Sequence, residues 1–468
     1  MRNIVVLIIL ISASSMINAQ NYGSWSEIDS MNIARVRHAM VVLPNGNILV
    51  SGSEADSIQS SAEIYDISTG NWRYTNPMNI PRAYHNLVLL KTGKVLAIAG
   101  YKERSCELFD PVSKTWSMTD SIPTFRYFGQ TVTELIDGRI LVAGGMYVDT
   151  TTWNMVFLNK ADIYDPNTNK WTEANPMYLG RYAHTATLLN DGNVLVSGGS
   201  TENFETDECE IYDPILNQWK IISNMNEKRS DHAAILLNNG NVLITGGQAN
   251  LIYKKSCEIY DVNTNQWKYI ADMLAYRIDH RIYYLSKIDK LLILGGDVFP
   301  PGTEDTWEIY DPDSLVPLYK ESFPINQFLT YNNVQLTNGN IFIAGNEEYE
   351  VPPGGLPYRW PSKKSWIFDV VTDVTEGLNI PENFRLYQNY PNPFNPATTI
   401  EYSIPEASNV TLIVYNLLGE KVTVLVDEHQ QTGRYMAKFN AKNLPSGVYI
   451  YKLTAGKFSS AKKLMLMK

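Results

Sequence analysis

Six arginines occupy one place in a recurring pattern, Arg35, Arg82, Arg126, Arg181, Arg229 and Arg277, and five of the six histidines, His38, His85, His184, His232 and His280, each follow one of them by three residues. Guanidinium groups gathered around one axis would make a cationic collar suited to carboxylate or sulfate groups. A residue repeated in every unit also serves what every unit needs, here an ion pair or hydrogen bond between neighbours, and this structural reading stands beside the ligand-binding one. The imidazoles are expected to be structural. A metal site needs ligands converging at about 2 Å with partners behind them, and histidines spread over a whole ring do not converge, so no metal is expected. Tyr84 and the loop aromatics Trp153, Tyr358 and Trp360 complete the candidate ligand-binding set.

Other chemistry finds little support. Cys106, Cys209 and Cys257 share one repeat position, too far apart across units for the ~7 Å limit on disulfide Cα separation, and read as buried small hydrophobes. Asp165-x-Asn167-x-Asn169 lacks the Gly and distal Glu of a calcium loop and reads as a turn. The sequence has no Gly-x-Ser-x-Gly elbow, no Cys-x-x-Cys and no phosphate loop.

The elements that must position these residues come from the repeat itself. Copies begin near Arg35, Arg82, Arg126, Arg181, Arg229, Arg277 and Gln327, a period of about 50 residues. Each divides into four β-type runs. Dipeptides such as Asn45-Gly46, Asp191-Gly192 and Asn338-Gly339 supply the positive φ of a tight hairpin between the first two. The second run ends in Gly, as at Gly52, Gly198 and Gly246, where a missing Cβ lets a neighbour approach. A third run such as Glu63-Ile-Tyr-Asp66 leads through a turn to a Trp strand at Trp72, Trp116, Trp171, Trp219 and Trp267. Four strands per repeat make one propeller blade.

These residues resemble the kelch family, in the bacterial variety with Arg-x-x-His before the first strand and a double Gly after the second. The resemblance covers roughly residues 21 to 372 and implies an all-β, seven-bladed propeller. Copy six has no Trp after Asp311-Pro312, which predicts an irregular outer strand. Copy seven stops after Trp366-Ile-Phe-Asp369, and its missing Trp strand is found at Ser24-Trp25. The ring is therefore expected to close through the N-terminal strand, removing a sheet edge. Tyr84-His85 also resembles the Tyr-His copper ligands of the galactose oxidase group. That group needs a second ligand His from a C-terminal domain and a Cys–Tyr crosslink, and this chain offers no suitable Cys and, past the propeller, just His429. No cofactor is expected.

The ends of the chain carry addresses. Arg2, the apolar run Ile4 to Ile11 and small residues up to Ala19 form the three regions of a secretory signal peptide, far shorter than the ~20 apolar residues that span a bilayer. After the propeller, residues 20–372, a polar linker covers 373–381 and a β-sandwich 382–468. Pro391, Asn392, Pro393 and Phe394, then Gly419 in a Leu-Gly turn, and Gly447 and Tyr449 in Leu-Pro-Ser-Gly-Val-Tyr, resemble the C-terminal sorting domain of type IX secretion substrates. That resemblance implies recognition by the type IX machinery and release from, or anchorage on, the outer surface of a Gram-negative bacterium.

With 49 acidic against 39 basic residues the net charge is −10, which argues against nucleic acid or anionic membrane as a partner. The Arg segments and the loops after the double Gly must share one face of the disc. The expected function is a non-enzymatic propeller that binds a glycan or an extracellular protein there. The alternatives are an extracellular polysaccharide-active enzyme, whether copper-radical oxidase, lyase or hydrolase, and a purely structural surface protein.

Overall fold

The structure, a computed structural model, describes residues 22–55, 57–296, 306–323, 327–328, 333–350, 358–371, 384–389, 392–431 and 433–467. The expected signal peptide 1–19, the linker 373–381 and Pro391 lie outside them. Among the described residues every regular element is a strand.

Among the described residues of 23–370, three small hairpin sheets stand beside a main body of seven antiparallel sheets, six of them four-stranded and one with a fifth strand. The first joins Ala39–Val42, Ile48–Ser53, Gln59–Asp66 and Asn71–Tyr74 in order from inside to outside. The hairpin turns bend where the dipeptides require it, with φ of 84° at Gly46 and 91° at Gly192. Sheet six has no Gly there and places Asp289 in the left-handed region instead.

Sheet seven is built from both ends of the propeller. Gly23–Ile28 pairs with Ser365–Val370 and sets Trp25 opposite Phe368. Trp25 packs its ring 4.5 Å from Phe323 and 4.9 Å from Phe368, so the closing strand is held by buried aromatic contact as well as by its ladder. The outer strand of sheet six, Val316–Ser322, slips register between Ile309 and Tyr310; Pro317 stands opposite Tyr310, where the other sheets have Trp, and the Tyr319 ring tilts against Trp307 at 5.4 Å.

Cores lie between sheets. One cluster joins Leu96 and Ile98 of sheet two to Ile140, Val142, Tyr164 and Trp171 of sheet three. The outer Trp residues add directional ties: the indole N–H of Trp116 donates to Asn76 O at 3.0 Å, that of Trp219 to Asn175 O at 2.7 Å and that of Trp267 to Ser223 O at 3.0 Å. Each acceptor follows the outer strand of the preceding sheet.

The tail forms a second body of two sheets, three strands against four, around Phe394, Leu412, Tyr451 and Leu464. Phe394 is buried and exchanges backbone hydrogen bonds with Met465 and Met467, while Asn392 Oδ1 accepts from Met465 N at 2.8 Å. The entry motif is thereby fixed to the last strand. Gly419 takes φ 79° in a turn whose Asn416 Oδ1 accepts from the amides of Leu418 and Glu420. Gly447 starts the strand of Tyr449, whose hydroxyl donates to Pro445 O at 2.8 Å. Among the described residues no helix is long and apolar enough to cross a membrane.

Candidate functional site: the axial mouth

The six arginines are not a collar open to ligand. All are at most 1% exposed, and each is paired with a carboxylate on the third strand of its own sheet: Glu63, Glu107, Asp162, Glu210, Glu258 and Glu308 at 2.7–3.0 Å. Arg181 shows the rest of the cage, its Nη1 donating to Gly198 O and Glu208 O, both at 2.8 Å. At Arg35 and Arg126 burial lowers the guanidinium below its ordinary value, and the paired carboxylate opposes the shift. Donors committed in this way are closed to solvent and to the axis.

Four of the five repeat histidines, His85, His184, His232 and His280, fasten neighbours. His85 Nε2 meets Ser51 Oγ at 2.9 Å, His184 Nε2 meets Thr131 Oγ1 at 3.1 Å, and His280 Nε2 meets Thr245 Oγ1 at 2.7 Å, in each case from the preceding sheet. The double Gly makes room for them. A Cβ on Gly198 would lie 2.4 Å from Arg229 O and 2.9 Å from His232 Cε1. Burial, with the nearby arginine second, drives His38 and His184 down to about 3 and the other three downward as well. These imidazoles are neutral at physiological pH. Among the described residues no three His, Cys, Asp or Glu side chains are grouped to hold a metal.

The residue just before each histidine reaches the axis. Arg37, Tyr84, Ala183, Asp231 and Asp279 all have φ of 53–56°, and Gly129 in sheet three has 74°. This left-handed conformation lets successive sheets link by backbone alone: Tyr84 N donates to Arg37 O, Ala183 N to Gly129 O, Asp231 N to Ala183 O and Asp279 N to Asp231 O, at 2.8–3.0 Å. Bulky side chains held at positive φ are uncommon and cluster at functional sites. The ring rims an axial cavity of about 980 Å³ lined by the inner strands of all seven sheets.

The rim has two characters. In the sector of sheets two to four it is aromatic: Tyr84 lies 5.8 Å from Phe128, Phe128 6.3 Å from Tyr182 and Tyr182 5.6 Å from Phe157. The Arg37 guanidinium covers the Tyr84 ring at 4.9 Å and bonds Glu54 at 3.0 Å. Burial pushes the Tyr84 phenol up to about 12, so its hydroxyl stays protonated. Next along the rim from Tyr182, on sheets five and six, stand Asp231 and Asp279. Asp231 accepts from Gln248 Nε2 at 2.9 Å and Ser230 Oγ at 2.8 Å, yet burial still raises its carboxyl above the usual range.

Of the expected binding residues, the structure brings Tyr84 to the mouth. Trp153 stands 78% exposed on the hairpin tip of sheet three, at φ 58° in a turn capped by Asp149, and is not part of the cavity wall. Trp360 is half-buried opposite Glu348 in the hairpin that also holds Tyr358, and the connecting residues 351–357 lie outside the described ones. The sequence reading missed Phe128, Tyr182, Asp231 and Asp279. Their signal is position: they fill the varying slots between Arg and His.

Residues 15–247 match the Attractin/LZTR1 beta-propeller family, residues 229–274 the Kelch motif, and residues 388–467 the secretion system C-terminal sorting domain. With the all-β architecture these define the class: the chain is a kelch β-propeller protein with a C-terminal sorting domain, and that domain marks it for secretion or the outer surface through a type IX link. It is similar to the kelch-like protein terF of Aspergillus terreus, with 31% identity over 93 residues, 19% of this chain and 19% of that protein. The match thus spans about a fifth of the relative's length.

Proposed function

We propose that this is a secreted or surface-held binding propeller that takes a glycan at its axial mouth. The observation that carries the reading is the pairing of a half-buried aromatic wall, Tyr84, Phe128 and Tyr182, with the hydrogen-bonding carboxylates of Asp231 and Asp279 around one cavity. Aromatic rings offer flat apolar faces to the C–H faces of sugars, and a few placed polar groups fix orientation. A single such residue removed from a binding site costs on the order of 1–2 kcal/mol, or roughly ten-fold in affinity.

The test is a glycan array probed with the full chain and with a Tyr84→Ala, Tyr182→Ala variant whose thermal midpoint matches the parent. Retention of a defined sugar class by the parent, and its loss in the variant, is the expected result. A parent that retains no sugar but captures an extracellular protein through the same two residues would replace the glycan with a protein ligand.

A further inference from the structure

The loop rim is not level. Sheets three, four and five each raise a hairpin beyond the second strand, Met155–Phe157 paired back onto Ile140–Val148, then Ser200–Thr201 with Phe204–Glu205, and Gln248–Ala249 with Ile252–Tyr253. Sheet two spends two residues there, Tyr101 and Lys102, between the strands Val95–Gly100 and Glu103–Asp110. The short turn leaves a notch in the rim.

The aromatic wall continues through that notch. Tyr84 lies 6.2 Å from Tyr101, Tyr101 5.0 Å from Tyr127, Tyr127 5.2 Å from Phe125 and Phe125 5.8 Å from Tyr147. Phe125, Tyr127 and Phe128 follow the crossover that runs from the outer strand of sheet two to the inner strand of sheet three, so the rings lead radially from the axis outward. Tyr127 is buried, and Tyr101, Phe125 and Tyr147 keep part of their surface in solvent.

The notch also carries positive charge on an acidic chain. Lys102 and Arg104 are exposed and have no carboxylate partner among the described residues. Lys102 Nζ sits 5.1 Å from the centre of the Tyr101 ring, and Arg104 Nη1 donates to Pro123 O at 3.0 Å. The intervening Glu103 turns its carboxylate inward onto the amides of Arg104 and Ser105, at 2.8 and 2.7 Å.

We infer that the notch over sheet two is an extended subsite for an acidic linear glycan, a uronate-bearing chain that lies radially on Tyr101, Phe125 and Tyr147 with its carboxylates at Lys102 and Arg104, and reaches the axial mouth at Tyr84. The inference rests on the glycan reading of the mouth and adds to it the polymeric form and the charge of the ligand. Aromatic rings spaced along a path reward chain length, and exposed cations steer an anionic strand with a salt-sensitive attraction.

The test is calorimetric titration of the full chain with oligogalacturonates of one to six residues and with neutral galacto-oligosaccharides of the same lengths. The hexamer of the acidic series is expected to bind at least ten-fold tighter than its dimer, with the gain shrinking at high salt. Tyr147→Ala and Lys102→Ala should each remove most of that gain and leave dimer affinity unchanged, while Tyr147→Phe keeps it. Sugar binding that does not depend on length overturns the subsite and leaves the mouth standing. Equal binding of the neutral series overturns the charge assignment. Absence of sugar binding in the array removes the mouth reading and this one together.

Discussion

One carboxylate oxygen of Glu63 accepts from both Nε and Nη2 of Arg35, at 3.3 and 2.9 Å, while its other oxygen takes the backbone N–H of Asn32 at 2.8 Å. Asn32 and Arg35 lie on the crossover by which the chain leaves sheet seven for sheet one. A single acid therefore satisfies a buried cation and pins the connection between two sheets. Glu107, Glu210, Glu258 and Glu308 also accept amide N–H bonds from their crossovers, at Asn79, Tyr178, Asn226 and Leu274.

Removing one member of such a buried pair strands the other charge. Glu63→Ala is expected to cost about 3–5 kcal/mol, because the uncompensated guanidinium stays buried. Chemical denaturation at pH 7 measures it. A loss below about 1 kcal/mol would mean that the arginine escapes to water and the cage is not rigid.

Sheet three offers the opposite experiment. Its acid is the shorter Asp162, and although Arg126 Nη2 lies 2.8 Å from Asp162 Oδ2, Arg126 Nε and Nη1 find no hydrogen-bond acceptor. Asp162→Glu supplies the missing methylene and is expected to stabilise by about 1 kcal/mol, the net worth of a recovered hydrogen bond. A lowered thermal midpoint would show that the surrounding strands cannot admit the longer side chain.

Stability should fall on mild acidification. The five repeat histidines are held below their ordinary value in the folded chain, so below about pH 6.5 the unfolded chain binds the extra protons. Each imidazole then costs on the order of 1 kcal/mol per pH unit as pH drops from about 6.5 toward the folded value. Thermal midpoints recorded from pH 7.5 to 5 should decline steeply below 6.5. A flat profile down to pH 5 would mean the imidazoles reach solvent.

The close approach at the double Gly can be probed directly. Gly198→Ala places a methyl against Arg229 O at a φ of 59°, and strain of both kinds should cost about 2 kcal/mol or more. Gly419→Ala in the tail, also at positive φ but with nothing within 4 Å, isolates the backbone contribution and should cost about 1 kcal/mol. Equal losses at the two sites would mean that the inter-sheet contact yields freely.

The repeat made the sheets legible because its signals are local: a two-residue turn, a terminal Gly and an outer Trp each dictate geometry within a few residues. Closure through Trp25 was legible for the same reason, since the missing strand of copy seven has its own signature. The binding wall was not. Whether an arginine faces the axis or the core depends on the acid that meets it from the third strand, nearly thirty residues away, as Arg181 meets Glu210. Sheet three hid its contribution further, because Gly129 and Gln130 there take the places of Ala183 and His184, one residue later after the Arg than in the other copies. The notch is a property of a short turn beside tall ones, and no single repeat displays it.

Because residues 23–28 zip onto residues 365–370, a polypeptide interrupted anywhere before that last strand leaves its first one without a mate. The same interruption deletes the sorting tail, which starts downstream. A chain that carries the export label therefore always carries the strand that shuts its ring, and the address travels only with chains that can be finished.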